Sequence, residues 1–214
     1  MSIQATLPDG FSVDLVTRAA GPILYNNGAG VFPFLGVPTY QFAFPKMDTS
    51  GTVILGDSTY QVSGTTWFDR QWMDQPLSVL QTDKFKWTWM NFRLNNGDVI
   101  SLWDVIFEGK DQAWAIVVSP DGTHTIANVL PLEKDASDVW ISPESGRHFP
   151  SRWIVKIPAL EGVFEVTATP KGQEISGAET EVGRAVYEGA CTITGSYKGE
   201  KVTGLCYTEM VGGW

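Results

Sequence analysis

The chain has 214 residues, 43% hydrophobic and 18% charged, with a formal net charge of -9. That balance excludes a disordered chain and fits one domain, or one domain with an appendage. The negative charge argues against nucleic acid and anionic membrane as main partners, because both attract Lys and Arg.

The opening stretch MSIQATLPDG has neither a basic region nor an apolar run, so no signal peptide is expected and the cytoplasm is the expected location. No apolar run approaches the roughly 20 residues of a membrane-spanning helix. Strand signals then follow one another with short polar or Gly/Pro breaks. They predict strands over Phe11–Thr17, Val37–Phe44, Thr52–Leu55, Thr59–Phe68, Trp87–Leu94, Val99–Phe107 and Ala113–Val118. Further on they predict Thr123–Val129, Arg152–Ile157, Gly162–Thr169, Arg184–Gly195 and Val202–Val211. Turn signals separate several of these, at Asn95–Asp98 (NNGD), Pro120–Gly122 (PDG) and Lys198–Lys201 (KGEK). Asp74–Thr82 is the one stretch that could hold a helical turn. Many short strands with tight turns predict an all-β protein, an antiparallel barrel or sandwich.

Nine tryptophans are a heavy load for this length. They either fill a core or line a cavity. Strand alternation sorts them. In KWTWMNFRL, Trp87, Trp89, Asn91 and Arg93 share one face, while Thr88, Met90, Phe92 and Leu94 share the other. Indoles beside an amide and a guanidinium suit a pocket with placed hydrogen-bonding groups. In ISLWDVIF, Asp104 shares a face with Ile100, Leu102 and Ile106. Desolvation there raises a carboxyl's pKa and makes it a candidate proton donor, unless it pairs with an Arg across the sheet.

Near the C-terminus a hairpin is expected. Tyr207 and Glu209 share a face with Leu205 and Val211, and Glu188 shares one with Arg184, so an ion pair with Arg184 is its structural alternative. A two-residue turn at Lys198–Gly199 would set Cys191 opposite Cys206. They are the only cysteines, and two buried thiols are expected rather than a disulfide. In VSGTTWFDRQW, Trp67, Asp69 and Gln71 share one face and Phe68, Arg70 and Trp72 the other, so Asp69 and Arg70 have different tasks. One is expected to anchor a strand end and the other to face the cavity.

The chain lacks GxGxxG after a strand, GxxxxGK[ST], HExxH and GxSxG, and His124 and His148 are its only histidines. No metal site and no cofactor are expected, and catalysis would rest on carboxyls, tyrosines, amides and shape.

The segments VSGTTWFDRQW, KWTWMNFRLNNGDVISLWDV, WISPESGRHFPSRWIVKIP and YEGACTITG…GLCYTEMVG occur in that order. Together they resemble the lipocalin-like family that includes carotenoid 1,2-hydratase, the AttH proteins and natural-product cyclases such as [4+2] cyclases. The resemblance runs from about Val37 to the C-terminus. It implies an antiparallel lipocalin-like β-barrel with a cavity and no cofactor, and an acid that protonates an alkene, for which Asp104 is the match. Many members carry two barrel-like domains in tandem. Here 1–36 is expected to be a partial N-terminal β segment, the remnant of a first barrel or an appendage, and 37–214 the barrel.

The first expectation is a cyclase acting on a hydrophobic polyketide or polyene. The second is a hydratase of an isoprenoid-type alkene, and the third a carrier of a hydrophobic small molecule. Asp104, Glu209, Tyr207 and Asn91 are the candidate catalytic residues. Trp67, Asp69, Trp87, Trp89, Trp103 and Tyr187 are the candidate substrate contacts. The expected partner is a hydrophobic small molecule, with no nucleic acid and no membrane span; self-association as a homo-oligomer is left open.

Overall fold

The computed structural model describes residues 1–74, 85–175 and 185–212. It is built from β-strands in two main antiparallel sheets. Most of the helical turn expected at Asp74–Thr82 lies outside the described residues, as does Arg184. No helix among the described residues is long and apolar enough to cross a membrane.

The first sheet holds β1 (Ser2–Thr6), β2 (Ser12–Ala19), β3 (Leu24–Tyr25), β4 (Val31–Phe34), β5 (Val37–Leu55) and β6 (Ser58–Met73). The two strands expected between Val37 and Leu55 are one long strand. A register shift between Phe44 and Met47 bends it where Pro45 cannot donate to the ladder, so the sequence reads as interrupted while the pairing continues. Val37, where the sequence places a boundary, begins β5, which pairs with β2, β3, β4 and β6.

The second sheet contains β7 (Phe85–Leu94), β8 (Val99–Phe107), β9 (Lys110–Val118), β10 (His124–Asn128), β11 (Ala136–Ser137), β14 (Arg152–Ile157), β15 (Gly162–Ala168), β16 (Glu174–Ile175), β17 (Val186–Tyr197) and β18 (Glu200–Val211). A short hairpin of β12 (Trp140–Ile141) and β13 (His148–Phe149) stands apart. Strand order runs β10-β9-β8-β7-β18-β17-β15-β14-β11. The chain leaving β10 reaches β14, where the Leu130 N–H donates to the Lys156 carbonyl at 3.0 Å. The two ends of the sheet thus meet, giving the antiparallel lipocalin-like barrel.

The barrel interior is a packed core. Met90 and Phe92 from β7, Ile100 and Leu102 from β8, Trp153 and Val155 from β14 and Phe164 from β15 are all buried there. Each large apolar side chain sealed in this way contributes roughly 1.5–3 kcal/mol. These side chains form one buried cluster inside the barrel, and most of the chemistry-bearing groups lie on the other face of its wall.

Alternation sends the other face of the same strands outward. Trp87 and Trp89 on β7, Trp103 and Val105 on β8, and Val186 and Val211 on β17 and β18 meet Phe32, Phe34 and Leu35 of the first sheet. The first sheet thus lies on one outer face of the barrel. Polar links pin the two together: Trp114 Nε1 donates to Asn26 Oδ1 at 3.2 Å, and Asn26 Nδ2 donates to Gln41 Oε1 at 2.6 Å. The Tyr25 N–H donates to His124 Nε2 at 3.2 Å, and Arg93 Nη1 donates to Thr65 Oγ1 at 2.5 Å.

Candidate functional site

The register across the barrel places side chains in rows. Glu188, Glu209, Trp89, Trp103 and Trp114 are successive cross-strand partners on β17, β18, β7, β8 and β9. All five face the first sheet. The next row contains Ala190, Tyr207, Asn91 and Ser101. From β6, Trp67 and Asp69 descend onto these rows, with the Trp67 and Trp89 ring centroids 6.1 Å apart. The hairpin that sets this register turns at Lys198 (φ +52°) and Gly199 (φ +80°), backbone that favours glycine at the second position. It also places Cys191 opposite Cys206, both as buried free thiols.

Indole N–H groups hold most of the acceptors on this face. Trp87 Nε1 donates to Glu209 Oε1 at 2.7 Å, Trp67 Nε1 to Asp69 Oδ2 at 2.8 Å, and Trp89 Nε1 to Ser101 Oγ at 2.9 Å. Two groups are left over. The buried Trp103 Nε1 has no hydrogen-bond partner among the described residues. Asn91, only 4% exposed, makes no hydrogen bond to a described residue, and its carboxamide atoms are not among the sealed ones, so they carry what exposure the residue has.

Three carboxyls therefore share a poorly solvated space. Burial, then the nearby Glu209 charge, pushes Glu188 up to about 8, against a partial pull downward from the Tyr207 hydroxyl. Burial pushes Glu209 up to about 7, opposed by the Trp87 N–H and reinforced by Asp69. Asp69 is raised by burial, with the Trp67 N–H pulling the other way. Tyr207 is raised by burial and by the Glu188 charge. Like charges in one site cannot all ionise near neutrality, so the group keeps a proton at a pH where an exposed carboxylate would not.

Most of the residues singled out in the sequence come together here: Glu209, Tyr207, Asn91, Trp67, Asp69, Trp87, Trp89 and Trp103. Asp104 and Tyr187 do not. Both point into the barrel interior. Asp104 is 5% exposed, and its Oδ2 accepts from the Leu132 N–H at 2.7 Å. Burial raises it to about 7, with Asp111 adding to the rise and Leu132 and Lys86 opposing it. The Tyr187 hydroxyl donates to the Lys171 carbonyl at 2.8 Å, and burial pushes it up to about 12.

The structure also brings Glu188, Ser101, Phe32, Phe34 and Trp114 to this face, none of which the sequence reading includes among its candidates. For Glu188 the signal was present: the turn that pairs Cys191 with Cys206 also pairs Glu188 with Glu209. Among the described residues, no group of three or more His, Cys, Asp or Glu is arranged to hold a metal ion.

Fold and site together define a lipocalin-type β protein whose ionisable groups lie between the barrel wall and a covering sheet. The chain belongs to the AttH-like family, whose model matches residues 1–213, further than the resemblance from Val37 onward implied. It is 27% identical over 221 residues to the dehydratase asqC of Emericella nidulans, covering 99% of this chain and 61% of that protein. It is 28% identical over 210 residues to the kievitone hydratase of Fusarium solani subsp. phaseoli, covering 95% and 57%. The chain thus spans about three-fifths of the length of the curated relatives it matches. The fold matches the crystal structure of kievitone hydratase from Nectria haematococca with a TM-score of 0.81 at 21% identity, over 98% of this chain and 64% of that one. It matches a Nitrosomonas europaea protein assigned to AttH with a TM-score of 0.81 at 19% identity, over 99% and 64%.

Proposed function

We propose that this protein is a lyase that adds water to, or removes it from, a carbon–carbon double bond of a hydrophobic substrate, with Glu188 and Glu209 as its acid–base pair. The observation that carries this reading is the pairing of the two carboxyls across β17 and β18, with values of about 8 and about 7. Glu188 is the proton donor. In dehydration it protonates the departing hydroxyl, which leaves as water, while Glu209 takes the proton from the neighbouring carbon as the double bond forms. In hydration the same steps run in reverse. The faces of Trp67, Trp87 and Trp89 and the negative carboxylates favour positive charge developing on carbon. The names of the two curated relatives, a dehydratase and a hydratase, support this class.

Cyclisation of a polyene is the second reading. It rests on the aromatic floor, where Trp103 stacks on Trp114 at 6.2 Å and packs against Phe34 at 5.1 Å, a surface suited to folding a flexible chain. One experiment separates them. The protein is incubated with a panel of hydrophobic polyenes and their hydrated alcohols and followed by mass spectrometry. Gain or loss of one water, absent in Glu188→Gln, is the expected result. An unchanged mass at a new retention time would replace the lyase reading with the cyclase. Binding with no conversion across the panel would replace both with a carrier.

A further inference from the structure

We infer that Asn91 is the anchor for a neutral oxygen of the substrate, a hydroxyl or a carbonyl, held one row along β7 from the carboxyl pair. The inference rests on the reading of this face as the substrate site and adds a substrate class to it: an oxygenated hydrophobe whose oxygen lies about 7 Å from the reacting carbons, two residues along a strand.

A primary carboxamide has two donors and an acceptor, and in Asn91 these atoms hold the small exposed part of an otherwise buried residue, where a ligand can reach them. Asn91 is 4% exposed, and the groups flanking it do not bond to it. Its partner on β8, Ser101, accepts from Trp89. Its partner on β18, Tyr207, is engaged with Glu188. Arg93, two residues on along the same face, donates to Thr65. A sealed orphan stands diagonally across the same strand pair: Trp103, opposite Trp89, has a buried indole N–H with no partner among the described residues. On this face Trp67, Trp87, Trp89 and Trp114 are satisfied, whereas Asn91 and Trp103 keep hydrogen-bonding capacity that a ligand can take up. Three carboxyls nearby repel an anionic ligand, so the oxygen is uncharged.

The test uses binding rather than turnover. The probes are 2-naphthol and 2-methylnaphthalene, which match in shape and differ in hydroxyl against methyl, and dissociation constants come from equilibrium dialysis. Naphthol is expected to bind about tenfold more tightly to the native protein. Asn91→Leu is expected to weaken naphthol about tenfold and leave methylnaphthalene unchanged, and Asn91→Ser to recover part of the difference. Equal binding of the two probes, binding of neither, or equal weakening of both in Asn91→Leu would overturn the anchor. The native ratio needs no variant, so it decides the matter even where a variant misfolds. A probe ratio that holds in a protein with no water chemistry would sink the lyase reading and leave the anchor standing.

Discussion

Trp103 and Asp104 are adjacent in the chain and face opposite sides of β8. Trp103 looks out at the first sheet among Phe32, Phe34 and Trp89, whereas Asp104 looks into the barrel and is held by the Leu132 N–H. One wall thus separates two acidic environments. The outer one contains Asp69, Glu188 and Glu209 with aromatic rings above them, and the inner one contains Asp104 at the end of a packed core.

The acid pair predicts a narrow pH optimum. In the dehydration direction Glu188 must be protonated and Glu209 ionised, so kcat/KM for dehydration should fall below about 7 and above about 8, a bell whose limbs belong to the pair. Glu188→Gln should remove most of the rate, about 10²–10⁴-fold as for loss of general acid catalysis. A flat profile from pH 5 to 9, or a Gln variant with native kcat, would dismiss the pair as the catalytic groups.

Stability should follow the same groups in a defined direction. Both carboxyls have folded values above the ordinary carboxyl value of 4.5, so their favourable contribution is complete below about 4.5 and is lost as pH rises through about 7 and 8. Glu188→Gln removes that loss. Its Tm should equal the native value near pH 4 and exceed it increasingly towards pH 9, by about 2–4 °C for each kcal/mol relieved. A Tm difference that shrinks with rising pH would contradict the burial of Glu188.

Trp87 is a positioning residue. Its indole N–H favours the ionised form of Glu209, so Trp87→Phe should move the acid limb of the pH profile upward and narrow the bell, while the alkaline limb stays in place. A uniform loss of rate with unshifted limbs would mean that the ring only fills space.

Much of the fold was readable because alternation and turn chemistry are local. Val99–Phe107 and Arg152–Ile157 form strands with the ends that the sequence gives them, and the Lys198–Gly199 turn fixes the hairpin register. The grouping of Trp87, Trp89, Asn91 and Arg93 on one face was equally legible. What covers each face was not. Both faces of β7 and β8 are buried, one by the barrel's own core and one by a sheet that begins far away in sequence, so period 2 divides the residues without saying which set lies inside. Asp104 and Tyr187 were grouped with the indoles for that reason. Glu188 was passed over because Arg184 has the spacing of a same-face neighbour, although the hairpin register pairs it with Glu209.

Asp104 gives a contrasting prediction. It lies across the wall from the acid pair, so Asp104→Asn should keep most of kcat/KM. The Asn oxygen can still accept from Leu132, and loss of a desolvated charge should leave Tm unchanged or raised above pH 7. Asp104→Ala strands the Leu132 N–H and should cost about 1–3 kcal/mol. A dead but folded Asp104→Asn would return the chemistry to the barrel interior.

The packed lumen can be tested by its own exception. Phe164 is fully buried against Phe92 and Tyr197, at centroid distances of 5.3 and 5.8 Å, and Phe164→Ala should cost about 3–5 kcal/mol by opening a cavity. Trp153 is equally buried, but its Nε1 has no hydrogen-bond partner among the described residues. Trp153→Phe gives up ring volume and at the same time removes an unsatisfied donor. The two effects oppose each other, so the variant should lose less than about 1.5 kcal/mol in urea unfolding, well short of Phe164→Ala. If the order were reversed, with Trp153→Phe the costlier change, the indole N–H would have a bonded partner inside the barrel, and the lumen would hold more than its own side chains.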